Sequence, residues 1–149
     1  MFLMNNYVIT KKGIGKIIDV QDDYHVELYH SQQQIRISED DIIREIFSQE
    51  VIEEMIDRIA YICTFSIDNE KMRKDIYCDA MNEYDEISWV KVIKSTYLKN
   101  KQKKAKDFEK RMAKEAKEFL YGEISILLNI PYKNVEKYII EKVRNDEWS

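Results

Sequence analysis

Glycine and proline are nearly absent from this chain: three Gly and one Pro in 149 residues. With so few tight-turn residues, few tight turns are expected and most of the chain should lie in regular elements. Two cysteines, Cys63 and Cys78, are too few for a disulfide framework, and they lack the C-x-x-C spacing or adjacent base of redox chemistry. The two histidines, His25 and His30, sit five apart in a predicted strand and therefore on opposite faces, which keeps them from converging on a metal or a nucleophile. Unbroken apolar runs extend only a few residues, far short of the roughly 20 that span a bilayer. Met1-Phe2-Leu3-Met4 runs straight into Asn5-Asn6 rather than into a signal-peptide pattern, so a cytoplasmic protein is expected.

What the chain does have is 44% hydrophobic and 35% charged residues, enough for a core and for long solvated helix faces in one domain or two small ones. Net charge is −4, yet its distribution is uneven. Residues 1–48 carry 5 basic against 8 acidic side chains, residues 49–98 carry 6 against 11, and residues 99–149 carry 13 against 9. Nine of the basic residues fall within 99–117: Lys99, Lys101, Lys103, Lys104, Lys106, Lys110, Arg111, Lys114 and Lys117. An acidic protein with one basic segment points to a polyanion partner for that segment alone.

Up to Ser48 the pattern is that of short strands: Tyr7–Thr10, Lys16–Val20, Tyr24–His30, Ile35–Ile37 and Ile42–Ile46, with Gly13-Ile14-Gly15 and Asp22-Asp23 as turns. Five such strands are too few for a sandwich and fit a small curled antiparallel barrel with an edge to hide or use. Beyond Ser48 the period becomes helical. Val51, Ile52, Met55, Ile56, Ile59 and Ile62 open a first helix with Ser48 as its cap. A second runs from Asp68 to about Glu83 with Met72, Ile76 and Ala80 inward. A third starts at Tyr84-Asp85 and carries Ile87, Val90, Ile93, Tyr97 and Leu98. A fourth, Asp107 to about Leu128, carries Phe108, Met112, Ala116, Phe119, Leu120 and Ile124 and is ended by Asn129-Ile130-Pro131. The last spans Tyr132 to about Arg144 with Val135, Ile139 and Val143. The fold class is therefore α+β: a strand-rich domain over 1–48 and an all-helical domain of about five helices over 49–149.

No catalytic constellation emerges. Gly13-Ile14-Gly15-Lys16 lacks the spacing and the Gly-Lys-Ser/Thr ending of a phosphate loop, and a turn between strands explains it. The adjacent carboxylates Glu53-Glu54, Asp22-Asp23 and Asp40-Asp41 suit turns and helix surfaces rather than an acid/base dyad. No enzyme, metal, cofactor or small-molecule substrate is expected. Lys99 to Lys106 are placed near the start of the fourth helix, where the macrodipole disfavours cations by a few tenths of a kcal/mol each. A cluster that costs stability locally is best explained by a bound polyanion, read through its phosphates with little sequence specificity.

The segments Trp89-Val90-Lys91-Val92-Ile93-Lys94-Ser95-Thr96-Tyr97 and Ala116–Ile140, with Leu120-Tyr121-Gly122-Glu123 and Asn129-Ile130-Pro131, resemble the CarD family of bacterial RNA polymerase-binding transcription regulators. Tyr7-Val8, Gly13–Ile17, Tyr24 and Ile35-Arg36-Ile37 resemble that family's Tudor-like module, shared with the transcription-repair coupling factor. The resemblance implies that the barrel adds an edge strand to the polymerase β subunit, through Gln34, Ile35, Arg36 and Ile37. It implies as well that the helical domain touches promoter DNA at the upstream edge of the bubble and stabilises the open complex. Lys71, Arg73 and Lys74 match the basic start of the DNA-facing helix, and Lys103, Lys104 and Lys114 of the lysine cluster complete the expected DNA-binding set. Glu70 stands near the place where actinobacterial members carry a tryptophan wedge, and Trp89, inside a helix, is assigned to packing. The alternative is an adaptor on RNA polymerase without direct DNA contact.

Overall fold

The computed structural model describes residues 2–143. The chain divides into two compact units, Met1–Ser48 and Gln49–Ser149.

The first unit is a five-stranded antiparallel sheet: β1 (Tyr7–Thr10), β2 (Gly13–Val20), β3 (Tyr24–Leu28), β4 (Gln34–Ile37) and β5 (Ile42–Glu45), in the order β4-β3-β2-β1-β5. Register shifts at Ile9/Thr10 and Ile17/Asp19 insert extra residues, and bulges of this kind bend strands and increase twist. A sheet this short can therefore curl around one small core, formed by Val8, Ile17, Tyr24, Val26, Ile37 and Ile42 with Phe2, Val20 and Ile35 against it. A 3₁₀ turn over Glu39–Asp41 leads from β4 to β5, with the Ser38 N–H donating to the Asp41 carboxylate at 3.1 Å.

Two strand expectations need correction. The Gly13-Ile14-Gly15 segment is not the turn: the two-residue loop is Lys11-Lys12, closed by pairing of Thr10 with Gly13, and both glycines lie inside β2. They serve separate ends there. Gly13 adopts φ +133, which only glycine takes without strain, and Gly15 lies where an added Cβ would overlap Cγ1 of the fully buried Val26. Strand β3 also stops at Leu28, so His30 falls outside it, edge-on to Tyr29 at 5.0 Å.

The second unit holds α1 (Gln49–Arg58), a 3₁₀ turn (Ile59–Tyr61), α2 (Glu70–Met81), α3 (Glu86–Lys101), α4 (Asp107–Leu128) and α5 (Tyr132–Val143). The Asn69 side chain caps α2 by accepting from Met72 N–H, and Asp85 caps α3 by accepting from Ser88 N–H at 2.7 Å. Asn129 closes α4 in the left-handed conformation, its N–H returned to Ser125 O, and Pro131 follows. The expected end of α5 at Arg144 lies outside the described residues. Among the described residues, no helix is long and apolar enough to cross a membrane.

Trp89 is fully buried and stacked on Phe119 at 5.1 Å with the rings 7° from parallel, joining α3 to α4 as a packing residue. Several expected core positions are not core. Val51, Met72, Ile87 and Leu98 are exposed, while Arg73, Tyr77 and Met81 line the inner face of α2 and Trp89, Val92, Ser95 and Thr96 that of α3. Hydropathy alone misjudged the phase of both helices because their buried stripes include polar side chains.

Since Val26 is β-branched and held in one rotamer by the core, it cannot yield to a new methyl group. Gly15→Ala is expected to lower stability by about 1–3 kcal/mol through overpacking, and Val26→Ala in the same chain to recover part of that loss, as read from urea unfolding midpoints.

Candidate functional sites: an open strand edge and two basic surfaces

Strand β4 ends the sheet. Leu28 N–H donates to Gln33 O at 2.9 Å, and the antiparallel register pairs Val26 with Ile35 and His25 with Arg36. Main-chain direction alternates along such a ladder, so Ile35 and Ile37 turn their N–H and C=O toward β3, while Gln34 and Arg36 turn theirs to the open edge. Side chains alternate as well: Ile37 is buried, Ile35 half-buried against the core, and Gln34 and Arg36 exposed. The Arg36 guanidinium lies 3.2 Å from Asp23 Oδ1 in a solvated ion pair that contributes little to stability. The other edge of the sheet, β5, exposes Ile43 and holds Arg44 over the Phe47 ring at 4.1 Å.

In the helical unit the expected DNA-binding residues separate. Arg73 does not belong with them. It is 5% exposed, and its guanidinium is consumed internally: Nε and Nη2 reach Glu109 Oε1 at 3.3 and 3.2 Å, and Nη1 donates to Ile67 O and Asp68 O at 3.2 and 3.1 Å. Glu109, fully buried, also accepts from the Tyr77 hydroxyl at 3.0 Å and the Lys106 N–H at 3.3 Å. Thr96 completes the cluster, 3.1 Å from the Tyr77 oxygen and donating to Glu109 O. Three helices thus meet around one glutamate, α2 at its carboxylate and α3 at its backbone carbonyl. Burial, foremost, pushes the Tyr77 hydroxyl well above its ordinary ionisation range; the Thr96 hydrogen bond works against this and the Glu109 charge adds to it.

The sequence signal for this cluster was present. Arg73 falls in step with Tyr77, Ala80 and Met81, and Glu109 with Ala113, Ala116 and Leu120, so each charge sits on an apolar stripe. A charged residue in phase with a core face calls for an oppositely charged partner on a facing helix.

Lys71 and Lys74 are exposed on the first turns of α2. Lys74 Nζ lies 6.0 Å from the Phe108 ring, which brings it to the start of α4; Lys103 and Lys104 precede that helix in the loop from α3. That loop is not the start of α4, however. Lys99 and Lys101 are in the last turn of α3, Lys103 follows in the left-handed conformation, and Lys104 N–H returns to Lys99 O. Cations at a helix C-terminus are favoured by the macrodipole, so for Lys99 and Lys101 the expected local cost has the opposite sign, while Lys106 does stand at the start of α4 as its N-cap. The first residues of the cluster cap α3 and supply no argument from strain.

Lys114 belongs to a different surface. With Lys110 and Lys117 it lines a groove of about 210 Å³ between α3 and α4, opposite Tyr97 and Asn100. At about 100° per residue, Lys110 lies about 160° around α4 from Phe108, so this groove and the Lys74 side face different directions. Elsewhere, Lys94 is half-buried with Nζ donating to Ile59 O and Ile62 O at 2.8 Å, and burial lowers its pKa. Among the described residues, no group of three His, Cys, Asp or Glu side chains is arranged to hold a metal.

A helical unit carrying solvated lysines, joined to a sheet with open edges, has the make-up of a binding module. Residues 65–140, just over half of the chain and spanning α2, α3, α4 and most of α5, match the family model of the CarD C-terminal domain. The chain belongs to the CarD family and is a CarD-like, transcription-associated protein. No curated protein matches it.

Removing one member of the buried pair strands the other. Arg73→Ala and Glu109→Ala are each expected to cost about 3–5 kcal/mol in chemical unfolding. Tyr77 adds a pH dependence. Its folded-state pKa lies above the 10.0 of the unfolded chain, so the stability it contributes is complete below pH 10 and declines as pH rises beyond it. Tyr77→Phe should flatten that decline by up to about 1.4 kcal/mol per pH unit, measured as unfolding free energy above pH 10 against the parent protein.

Proposed function

We propose that this protein is a non-enzymatic, cytoplasmic transcription regulator that bridges RNA polymerase and promoter DNA. In this reading β4 adds itself as an edge strand to the polymerase β subunit. The helical unit touches DNA near the upstream edge of the bubble and stabilises the open complex. The observation that carries the reading is the CarD C-terminal match across α2 to α5. The open edge of β4 supports the polymerase contact, because unpaired main-chain groups at Gln34 and Arg36 supply affinity and their side chains supply selectivity. For DNA, Lys71 and Lys74 offer cations at the α2 start and Lys103 and Lys104 in the α3–α4 loop, without Arg73.

The adaptor reading, on polymerase without DNA, draws support from two observations. Arg73 is spent in the core, and Glu70 is exposed in the first turn of α2. Titrating a labelled promoter fork with the full chain at low ionic strength separates the two, since an adaptor leaves the fork unbound.

For the polymerase contact, Arg36→Pro removes an outward N–H while sparing the β3 ladder, a substitution that edge strands tolerate. Arg36→Pro and Arg36→Glu should each lower binding to the β subunit at least about tenfold with the unfolding midpoint little changed; unchanged pull-down removes β4 from the interface. For DNA, charge reversal at Lys71 and Lys74 should weaken fork binding more than reversal at Lys103 and Lys104. The opposite ranking would move the contact to the α3–α4 loop.

A further inference from the structure

We infer that the cleft between the 3₁₀ turn at Ile59–Tyr61 and α3 is a site of reversible thiol modification, in which Lys94 docks the carboxylate of a low-molecular-weight disulfide and Cys63 takes up its sulfur. The cleft shares no residue with the polymerase and DNA surfaces proposed above. It measures about 480 Å³, within the range of small-molecule sites, on the order of 300–1,000 Å³. Tyr61, Thr64 and Leu98 form part of its wall, and Cys63 and Lys94 bring a nucleophile and a cation into the same space.

Lys94 is a cation without a counter-charge. Its Nζ donates to Ile59 O and Ile62 O at 2.8 Å, which uses two of the three N–H groups of an ammonium and leaves one for a ligand. No carboxylate lines the cleft, and among the described residues Lys94 enters no ion pair. A charge drawn this far from water ordinarily comes with an opposite charge beside it. Here burial lowers the pKa of the amine, and the Cys63 thiol, its titratable neighbour, works against that. An entering carboxylate supplies the missing partner.

Cys63 is exposed, whereas Cys78 is half-buried on α2. Its backbone is anchored on both sides, with Ile62 N–H donating to Ile59 O at 3.2 Å and Phe65 N–H to Ser95 Oγ at 2.8 Å, so the thiol is presented from a fixed segment. The exchange balances simply. Cys63 gives its proton to solvent, and the thiolate attacks one sulfur of the disulfide; the S–S bond breaks, and the released thiolate leaves with the bonding pair and takes a proton from solvent. Cys63 is thereby oxidised to a mixed disulfide while half of the reagent is reduced, and excess reduced thiol reverses the step. A reagent held by its carboxylate at Lys94 spends its encounter beside this thiol, which raises the rate by proximity. The protein as a whole carries −4 and repels anions, so a preference for an anionic disulfide at one cysteine has to come from a local cation.

The test follows mixed-disulfide formation on the folded full chain by mass spectrometry, with oxidised glutathione as the anionic reagent and bis(2-hydroxyethyl) disulfide as the neutral one. Cys63 should react ahead of Cys78 with both, and its rate ratio of charged to neutral reagent should exceed that of Cys78. Lys94→Gln should lower the Cys63 ratio about three- to fivefold, the scale of a partly exposed ion pair, and Lys94→Arg should restore it. A Cys63 ratio no higher than that of Cys78 in the parent overturns the proposal, as does a ratio unchanged in Lys94→Gln. Where Lys94→Gln shifts the unfolding midpoint, Leu98→Trp decides instead, because this exposed position in the cleft wall can be enlarged without touching the Lys94 hydrogen bonds. Leu98→Trp should slow oxidised glutathione at Cys63 and leave Cys78 as it was; an unchanged Cys63 rate shows that the cleft takes no part and sinks the site.

Discussion

Arginine 73 and glutamate 109 face each other where water cannot reach, and the helical unit is organised around keeping them together. Each helix of the central trio contributes: α2 through Arg73 and Tyr77, α3 through Thr96, and α4 through Glu109 and the capping Lys106 N–H. Two apolar residues of similar volume could fill the same space at no loss of stability. What the charges add is uniqueness. A sliding of α2 along α4 by one turn would tear a guanidinium from its carboxylate, whereas a Leu–Leu contact would merely find a new neighbour. The exposed lysines on either side of α4 thereby keep fixed positions relative to each other.

The sheet unit solves a different problem. Its core is small, and its curvature comes from bulges and from a close approach of two strands at Gly15 and Val26. With so little apolar surface to bury, a unit of this size depends on local geometry as much as on area. Few glycines are present because few positions need one. Two of the three sit in one strand, one for an unusual φ and the other for closeness.

Much of this architecture was legible from residue patterns. The switch from period two to helical period at Ser48, the extent of α4, and the stop at Asn129-Ile130-Pro131 all came from side-chain chemistry that acts locally. What escaped were interactions made across helices. Arg73 reads as a surface cation because charge is ordinarily solvated, and only its phase with Tyr77 and Ala80 betrays burial. Met72 and Ile87 read as core because they are apolar, yet the helices rotate to bring Arg73 and Trp89 inward instead. The lysine run straddles the end of α3 and the N-cap of α4, and no glycine marks the break between them. Lys103 itself takes the left-handed turn that glycine usually supplies, so the boundary leaves little trace in the sequence.

A strand edge open to a partner is open, in principle, to every other strand in the cell, including its own copy. Gln34 to Ile37 is short, and any antiparallel self-pairing of so few residues brings two Arg36 side chains into each other's neighbourhood. Like charges held that close resist the dimer, while a strand bearing carboxylates would meet no such resistance. An exposed arginine on so short an edge weighs against pairing with its own copy, one of the ways in which charged side chains blunt a sheet edge.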